Sequence, residues 1–176
     1  MTLDLPDASI DLVVSNLGIN NFDNAEAVLG TCFRVMRPGG HLLLTTNLVG
    51  HMRELYDTYR TVLVEQGLTD RLATLDAHVA HRATVESVRA MLTRARFGEI
   101  DVTTDQFPMR FADGTSLLRH FFIRFGFLPA WRSIVPEDAV DKTLAALERR
   151  LNEVAAARGE LALTIPMALV EARKSR

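Results

Sequence analysis

The histidines and the single cysteine are the residues whose types first suggest metal or nucleophilic chemistry. His78 and His81 are three positions apart, and on a helix this spacing places both side chains on one face, where they could bind a metal ion. No third ligand is near them, so a solvent-exposed helix face is favoured and no metal site is predicted. Cys32 falls in an apolar stripe without an adjacent base, which favours a packed core thiol. The sequence therefore identifies no catalytic acid, base or nucleophile.

The elements that would position functional residues begin with a short apolar strand. LPDAS is typical of a turn, and the run IDLVVS predicts a strand over 11–15 that is covered on both faces. Asp23, with Glu26 three residues later, predicts a helix N-cap, and Pro38 with the two glycines after it predicts the end of that helix. HLLLTTN predicts a second strand. The resulting βαβ unit implies parallel strands and a doubly wound α/β sheet.

Further helices and two more strands follow. Apolar spacing predicts helices over about 52–63, from the cap Thr84 to about Ala95, and from about Pro136 onward. EIDVTTDQF and LALTIPMALVEA predict two strands that are neighbours in the sheet. The residues between them, 107–157, are too many for a structureless loop and are predicted to form a helical insert.

Length, charge and cysteine usage limit the classes of protein to which this chain can belong. A chain of 176 residues that is 48% hydrophobic can bury one core, so a single domain over 1–176 is predicted. Its net charge of −2 gives no electrostatic signal for nucleic acid or for an anionic membrane, so neither is expected as a partner. The expected partner is a small molecule. One cysteine cannot form an internal disulfide, and no leader-like stretch is present, so a cytoplasmic location is expected.

Three motifs in the first quarter of the chain carry a family resemblance. LPDASIDLVVSN, a helix ending in RVMRPGG and the strand HLLLTTN closely resemble the second half of class I S-adenosylmethionine-dependent methyltransferases of the small-molecule type. That family's patterns are LP-x-x-D-x-x-F-D-x-V and R-V-L-K-P-G-G, and the match is specific between residues 5 and 47. TVESVRAMLTRARFGEIDV and TIPMALVEARK are similar to its later helix and strands, more loosely.

The resemblance implies a partial Rossmann-like fold. The family's sheet has the order 3-2-1-4-5-7-6, of which strands 4-5-7-6, with an antiparallel last strand, are implied here. The Gly-rich cofactor loop and the acidic residue that ends the family's second strand have no counterpart in this sequence. We therefore expect Met1 to be an internal methionine or the chain to be a C-terminal fragment. The full-length enzyme would transfer a methyl group from S-adenosylmethionine to an unidentified small molecule, and the fragment alone would be inactive.

The resemblance also implies a cofactor-binding loop. Ser15, Asn16, Leu17 and Gly18 follow the first strand, where the family's loop lies against the methionine part of S-adenosylmethionine. Small residues permit close approach of a ligand, and backbone carbonyls can accept hydrogen bonds from its ammonium group. An ordinary strand-to-helix loop rich in turn-forming residues is the alternative.

Substrate contacts are predicted in three segments. The two asparagines after this loop stand where many relatives carry a histidine pair, and they either hold a polar substrate group or cap the turn. The segment 51–59 and the Phe-rich segment RHFFIRFGF, which lies in the 107–157 insert, are interpreted as a lid that selects the substrate. Core packing of the phenylalanines is the alternative. The predicted substrate-binding residues are Asn20, Asn21, His51, Tyr59, His120 and Arg124.

The implied half-sheet leaves its first strand at an open edge. An uncovered apolar edge invites pairing with another chain, so a homodimer through strand 11–15 is expected. A second function therefore stays open, that of a non-catalytic subunit or pseudoenzyme that pairs through this edge and does not bind the cofactor. A nicotinamide-dependent dehydrogenase shares the doubly wound topology, but RVMRPGG followed by an antiparallel final strand favours the methyltransferase pattern.

Overall fold

Four strands and eight α-helices form within residues 4–175, the part of the chain that the computed structural model describes. Met1, the predicted internal methionine, lies outside these residues. The strands are β1 (Ile10–Asn16), β2 (Met36–Asn47), β3 (Phe97–Phe111) and β4 (Leu161–Lys174). The helices are α1 (Ala25–Val35), α2 (Arg53–Glu65), α3 (Leu72–Ala80), α4 (Val85–Arg94), α5 (Gly114–Arg119), α6 (Phe121–Gly126), α7 (Leu128–Arg132) and α8 (Val140–Arg158).

The strands form one sheet in the order β1-β2-β4-β3. β1 and β2 are parallel and are connected by α1, while β4 runs antiparallel to β2. This arrangement is the predicted order 4-5-7-6 with an antiparallel last strand. The fold prediction, a partial Rossmann-like α/β sheet, is therefore confirmed.

The start of α1 differs from the predicted cap. The side chain of Asn24 accepts a hydrogen bond from the backbone N–H of Ala27 at 2.9 Å, so Asn24 is the N-cap. The prediction of Asp23 was wrong by one residue. Both residue types are strong N-caps, and the choice between adjacent candidates depends on backbone angles that the sequence pattern does not specify.

The end of α1 also differs from the prediction. The helix ends at Val35 and β2 begins at Met36, so the RPGG motif lies in the strand rather than terminating the helix. Gly39 has a φ of +80°, in the left-handed region that glycine tolerates. The register between β1 and β2 shifts at this point, between Ile10 and Leu12. The motif therefore forms an irregular entry into the strand.

β1 is an edge strand that is covered on one face. Successive side chains of a strand point to opposite faces, and Val13 packs against the core while its neighbours point away from it. Leu12 is 51% exposed and Val14 is 66% exposed. The predicted open edge is present, whereas the prediction that this strand is covered on both faces was wrong.

The described residues divide into two compact units. Unit 1 comprises the described residues of the ranges 1–49, 81–106 and 166–176, and it contains β1, β2, α1 and α4. Its core lies between these helices and one face of the sheet. The assignment of 1–176 to a single domain stays a prediction. The unit 1 core includes Leu29, Cys32, Met36, Leu42, Leu44, Val88, Leu92 and Val170.

Unit 2 is predominantly helical and comprises Gly50–Ala80 and Phe107–Ile165. α2 and α5 both pack against α8, the longest helix. β3 extends to Phe111, so the helices of the segment 107–157 begin only at Gly114. No helix within residues 4–175 is both long and apolar enough to span a bilayer.

Candidate functional site

The loop after β1 is held to the end of β2 by a small network of hydrogen bonds. The backbone N–H of Leu17 donates to both the carbonyl oxygen and Oγ1 of Thr45, at 3.1 Å each. Thr45 Oγ1 in turn donates to Asn16 Oδ1 at 2.5 Å. Leu17 has a φ of +57°, which is uncommon for a residue other than glycine. The bonds to Thr45 therefore fix a backbone conformation that the sequence alone disfavours.

At Gly18 the backbone of the same loop packs closely against neighbouring side chains. A Cβ atom at this position would lie 2.7 Å from Ser15 Oγ and 3.0 Å from the ring of Phe22. The φ of Gly18 is −81°, so the requirement for glycine comes from space and not from backbone angles. Together with Leu17, these residues form a compact turn at the carboxyl end of β1. The cofactor role of Ser15, Asn16, Leu17 and Gly18 stays a prediction.

The two asparagines predicted to contact substrate use their amide N–H groups within the protein. Asn20 Nδ2 donates to the backbone carbonyl of Asn47 at 2.9 Å, and Asn21 Nδ2 donates to that of Leu17 at 2.8 Å. These bonds support the alternative in which the pair stabilises the turn. Asn20 therefore ties the loop to the end of β2, and Asn21 closes a turn within the loop.

A groove of about 470 Å³, lined by both polar and apolar residues, lies beside this loop in unit 1. Asn20 lines it, and Glu26, on another wall, is paired with Arg94 through two hydrogen bonds. At the end of β2, Asn47 Oδ1 is buried without a hydrogen-bond partner among the described residues. A buried acceptor of this kind is rare in folded proteins, and it adds a candidate ligand contact near the loop. The other residues lining the groove are Ile19, Phe22, Asp23, Asn24, Ala25, His81, Arg82, Ala83, Ser87 and Met91.

Cys32 lies in an apolar environment that makes it a poor nucleophile. It lines a cavity of about 170 Å³ together with Val13, Ile19 and Phe22. Burial raises the pKa of the Cys32 thiol above its ordinary value, which disfavours the reactive thiolate. The interpretation of Cys32 as a packed core thiol fits this geometry.

The predicted substrate residues of unit 2 occupy two kinds of environment. Tyr59 is fully buried, its hydroxyl donates to the carbonyl of Trp131 at 2.9 Å, and burial raises the pKa of Tyr59 to about 12. His51 is buried and stacks on Phe127 with ring centroids 5.8 Å apart. This geometry makes Tyr59 a core residue and does not support a substrate contact for it.

The other two predicted substrate residues of unit 2 lie at the surface. His120 and Arg124 are exposed, and the ring of His120 contacts Phe111 with centroids 5.6 Å apart. The four predicted residues of unit 2 therefore do not form one cluster. Substrate roles for His51, His120 and Arg124 stay predictions.

Sequence reasoning missed two polar residues that bond to the loop after β1. Thr45 and Asn47 lie at the carboxyl end of β2, and the position of a residue at this end of a parallel strand was the available signal.

His78, considered above as a metal ligand, instead makes a 3.0 Å hydrogen bond to the hydroxyl of Tyr56 through Nε2. Residues 4–175 hold no group of three or more His, Cys, Asp or Glu side chains suited to a metal ion.

Sequence comparison relates the chain to methyltransferases. Residues 1–44 match the family model described as a methyltransferase domain. The chain is 38% identical over 58 residues to a malonyl-[acyl-carrier protein] O-methyltransferase from Serratia marcescens, an alignment that covers 33% of this chain and 23% of that protein. It is 29% identical over 110 residues to a ubiquinone/menaquinone biosynthesis C-methyltransferase from Shewanella frigidimarina, covering 57% and 44% respectively. The chain therefore spans less than half the length of these curated relatives.

Structural comparison shows a shared fold. A protein from Anabaena variabilis, described as a candidate methyltransferase of an antibiotic biosynthesis pathway, is 21% identical with a TM-score of 0.58, and the match covers 96% of this chain and 69% of that one. The YcgJ protein of Bacillus subtilis is 14% identical with a TM-score of 0.54, covering 99% and 68%. The resemblance to class I S-adenosylmethionine-dependent methyltransferases is thus confirmed, in sequence at the start of the chain and in fold over nearly its whole length.

Proposed function

We propose that this chain is the C-terminal part of an S-adenosylmethionine-dependent methyltransferase that acts on a small molecule in the cytoplasm. The observation that carries the proposal is the compact loop Asn16–Gly18 at the carboxyl end of β1, in a sheet with the methyltransferase strand order. Ligands of open α/β sheets bind beyond the carboxyl ends of the strands. The single cysteine supports the proposed compartment.

The residues present fit the amino-acid end of S-adenosylmethionine. The loop offers backbone carbonyls and the amide oxygen of Asn16, which are acceptors suited to an ammonium group. No basic residue occurs between Ser15 and Asn21 to repel that group. Asn47 Oδ1, buried and unpartnered among the described residues, is a further acceptor at the neighbouring strand end. Ser15, Asn16, Leu17 and Gly18 are therefore the proposed residues for this end of the cofactor.

The chain's own residues would act by positioning. S-adenosylmethionine supplies a methyl group activated on a sulfonium, so alignment and exclusion of water contribute much of the catalysis and a dedicated base is optional. Thr45 and Asn20 hold the loop against the end of β2, and Asn21 stabilises the turn within the loop. The groove lined by Asn20 is the proposed position of the methyl acceptor.

The test is the affinity for S-adenosylhomocysteine, measured by calorimetry with the Gly18→Val variant. The valine Cβ would lie only 2.7 Å from Ser15 Oγ, so the loop would have to shift. We therefore expect at least a tenfold loss of affinity, about 1.4 kcal/mol. Gly30→Ala is the matched control in unit 1, because a Cβ there meets nothing within 4 Å, and its affinity should equal that of the unchanged chain. Unchanged binding by Gly18→Val would contradict the proposed site.

The exposed edge of β1 favours the second candidate function, a non-catalytic subunit. We propose a homodimer formed by antiparallel pairing of two β1 strands about Val13. This register places Leu12 of one copy opposite Val14 of the other, so the exposed side chains of both copies would cover each other.

Sedimentation equilibrium distinguishes the second candidate. We expect a dimer that becomes a monomer in the Leu12→Lys, Val14→Lys double variant, because like charges would then face each other across the pair. Val64→Lys is the control, since Val64 is an exposed apolar residue on α2. A dimer that binds no S-adenosylhomocysteine would favour the subunit, whereas a monomeric unchanged chain would exclude this pairing.

A further inference from the structure

We infer that unit 2 docks on an anionic lipid bilayer through a surface formed by Phe121, Phe122, Phe125, Arg119 and Arg124, called here the Phe-Arg surface. This surface lies on α6 and at the end of α5. The inference is independent of the methyltransferase proposal.

The apolar part of the Phe-Arg surface is unusually exposed. Phe121, Phe122 and Phe125 are 74%, 51% and 77% exposed. The rings of Phe121 and Phe125 contact each other with centroids 5.1 Å apart, so they form a continuous patch. Ile123, between them, is fully buried and anchors α6 to unit 2. Clustered aromatic exposure of this kind marks interaction surfaces.

The charge around these rings differs from that of the whole chain. Residues 114–136 contain three arginines and no acidic residue, although the chain as a whole carries a net charge of −2. Arg119 and Arg124 are exposed, and within residues 4–175 neither forms a salt bridge, although Asp113 lies close enough to Arg119 for an electrostatic interaction. The third arginine, Arg132, lies 3.8 Å from Asp141. The expectation that no membrane is a partner rested on the average charge, which conceals this local excess.

The combination of aromatic rings and arginines fits a lipid headgroup region. Aromatic side chains partition to the boundary between headgroups and acyl chains, while arginines bind lipid phosphates and are attracted by anionic leaflets. A second copy of this chain is a poorer occupant, because two such surfaces would bring like charges together. A bilayer contact of this kind lies on the membrane surface and does not require a spanning helix.

Vesicle co-sedimentation of the full chain tests this inference. We expect binding to phosphatidylcholine vesicles that contain phosphatidylglycerol, weaker binding to pure phosphatidylcholine vesicles, and a loss of the difference at high salt. Arg119→Gln with Arg124→Gln should lower the partition coefficient for the anionic vesicles by about thirtyfold, from the attraction typical of two basic residues near such a surface. Phe121→Ser with Phe125→Ser should lower it by at least tenfold.

Two substitutions elsewhere on unit 2 serve as matched controls. Phe107 is another exposed phenylalanine and Arg149 another exposed arginine, so Phe107→Ser with Arg149→Gln should bind as the unchanged chain does. Circular dichroism of each variant checks its folding. Equal binding by the control and the surface variants would overturn the inference, as would equal binding to both kinds of vesicle. A sedimentation coefficient that falls on removal of the two phenylalanines, without a change in vesicle binding, would identify a second copy as the occupant instead.

Discussion

Replacing Trp131 with alanine is expected to lower the free energy of unfolding by about 3–5 kcal/mol, the range for truncating a buried large aromatic residue. Trp131 is fully buried, and its Nε1 donates to the hydroxyl of Tyr56 at 3.2 Å. Its ring also packs against Phe127 with centroids 5.8 Å apart. The change removes this packing and leaves a cavity. Because domains are stable by only about 5–15 kcal/mol, the loss is a large share of the total.

Urea denaturation followed by circular dichroism measures this effect without relying on tryptophan emission. Trp131→Phe retains most of the ring packing but loses the Nε1 donor, so we expect a smaller loss of about 1 kcal/mol from the hydrogen bond. The carbonyl of Trp131, which accepts from Tyr59, remains in both variants. A loss below about 1 kcal/mol for Trp131→Ala would show that the packing of this core is not as described.

Gly114→Ala is expected to destabilise unit 2 by about 3 kcal/mol, because α5 and α8 leave no room for a methyl group between them. A Cβ atom at Gly114 would lie 2.6 Å from Leu151 Cβ and 2.9 Å from the carbonyl oxygen of Glu148. Neither atom is at the flexible end of a side chain. Moving the helices apart would also strain the hydrogen bond from the backbone N–H of Thr115 to Asn152 Oδ1, which measures 3.0 Å.

The same substitution at Gly126 provides the control with the opposite expected sign. Gly126 is the last residue of α6, and a Cβ atom there meets nothing within 4 Å. Alanine is a better helix former than glycine by up to about 1 kcal/mol, so Gly126→Ala should be neutral or mildly stabilising. Equal effects of the two changes in urea denaturation would contradict the close α5 and α8 packing.

The order of the sheet was predictable because apolar runs and family motifs determine it together. β1, β2 and β4 each coincide with a predicted strand, and Thr84 caps α4 as predicted, with Ser87 completing a capping box. The exact ends of the helices and strands were less predictable. At RPGG, proline and glycine signal a break in the helix, yet they do not show that the chain enters β2 immediately through an irregular register.

The candidate site was predictable in location but not in its contacts. The small residues after β1 were predicted to let the cofactor approach, which stays a prediction, and in the structure Gly18 packs closely on Ser15 and Phe22 of the same loop. The bonds from Leu17 to Thr45 join residues 28 positions apart, which no local pattern reveals. Tyr59 was ambiguous in the sequence, because a tyrosine in the predicted lid has the same signature whether its hydroxyl faces a ligand or, as in this structure, donates to a buried carbonyl.

The burial of Cys32 and Trp131 gives each unit its own chemical reporter. The chain contains one cysteine and one tryptophan, and they lie in the cores of unit 1 and unit 2 respectively. The rate at which a thiol reagent labels Cys32 follows the opening of unit 1, while indole emission follows exposure of Trp131. Both signals come from the unmodified protein. If the two transitions coincide in denaturant, the units unfold as one cooperative domain, and if they separate, the chain contains two independently opening parts.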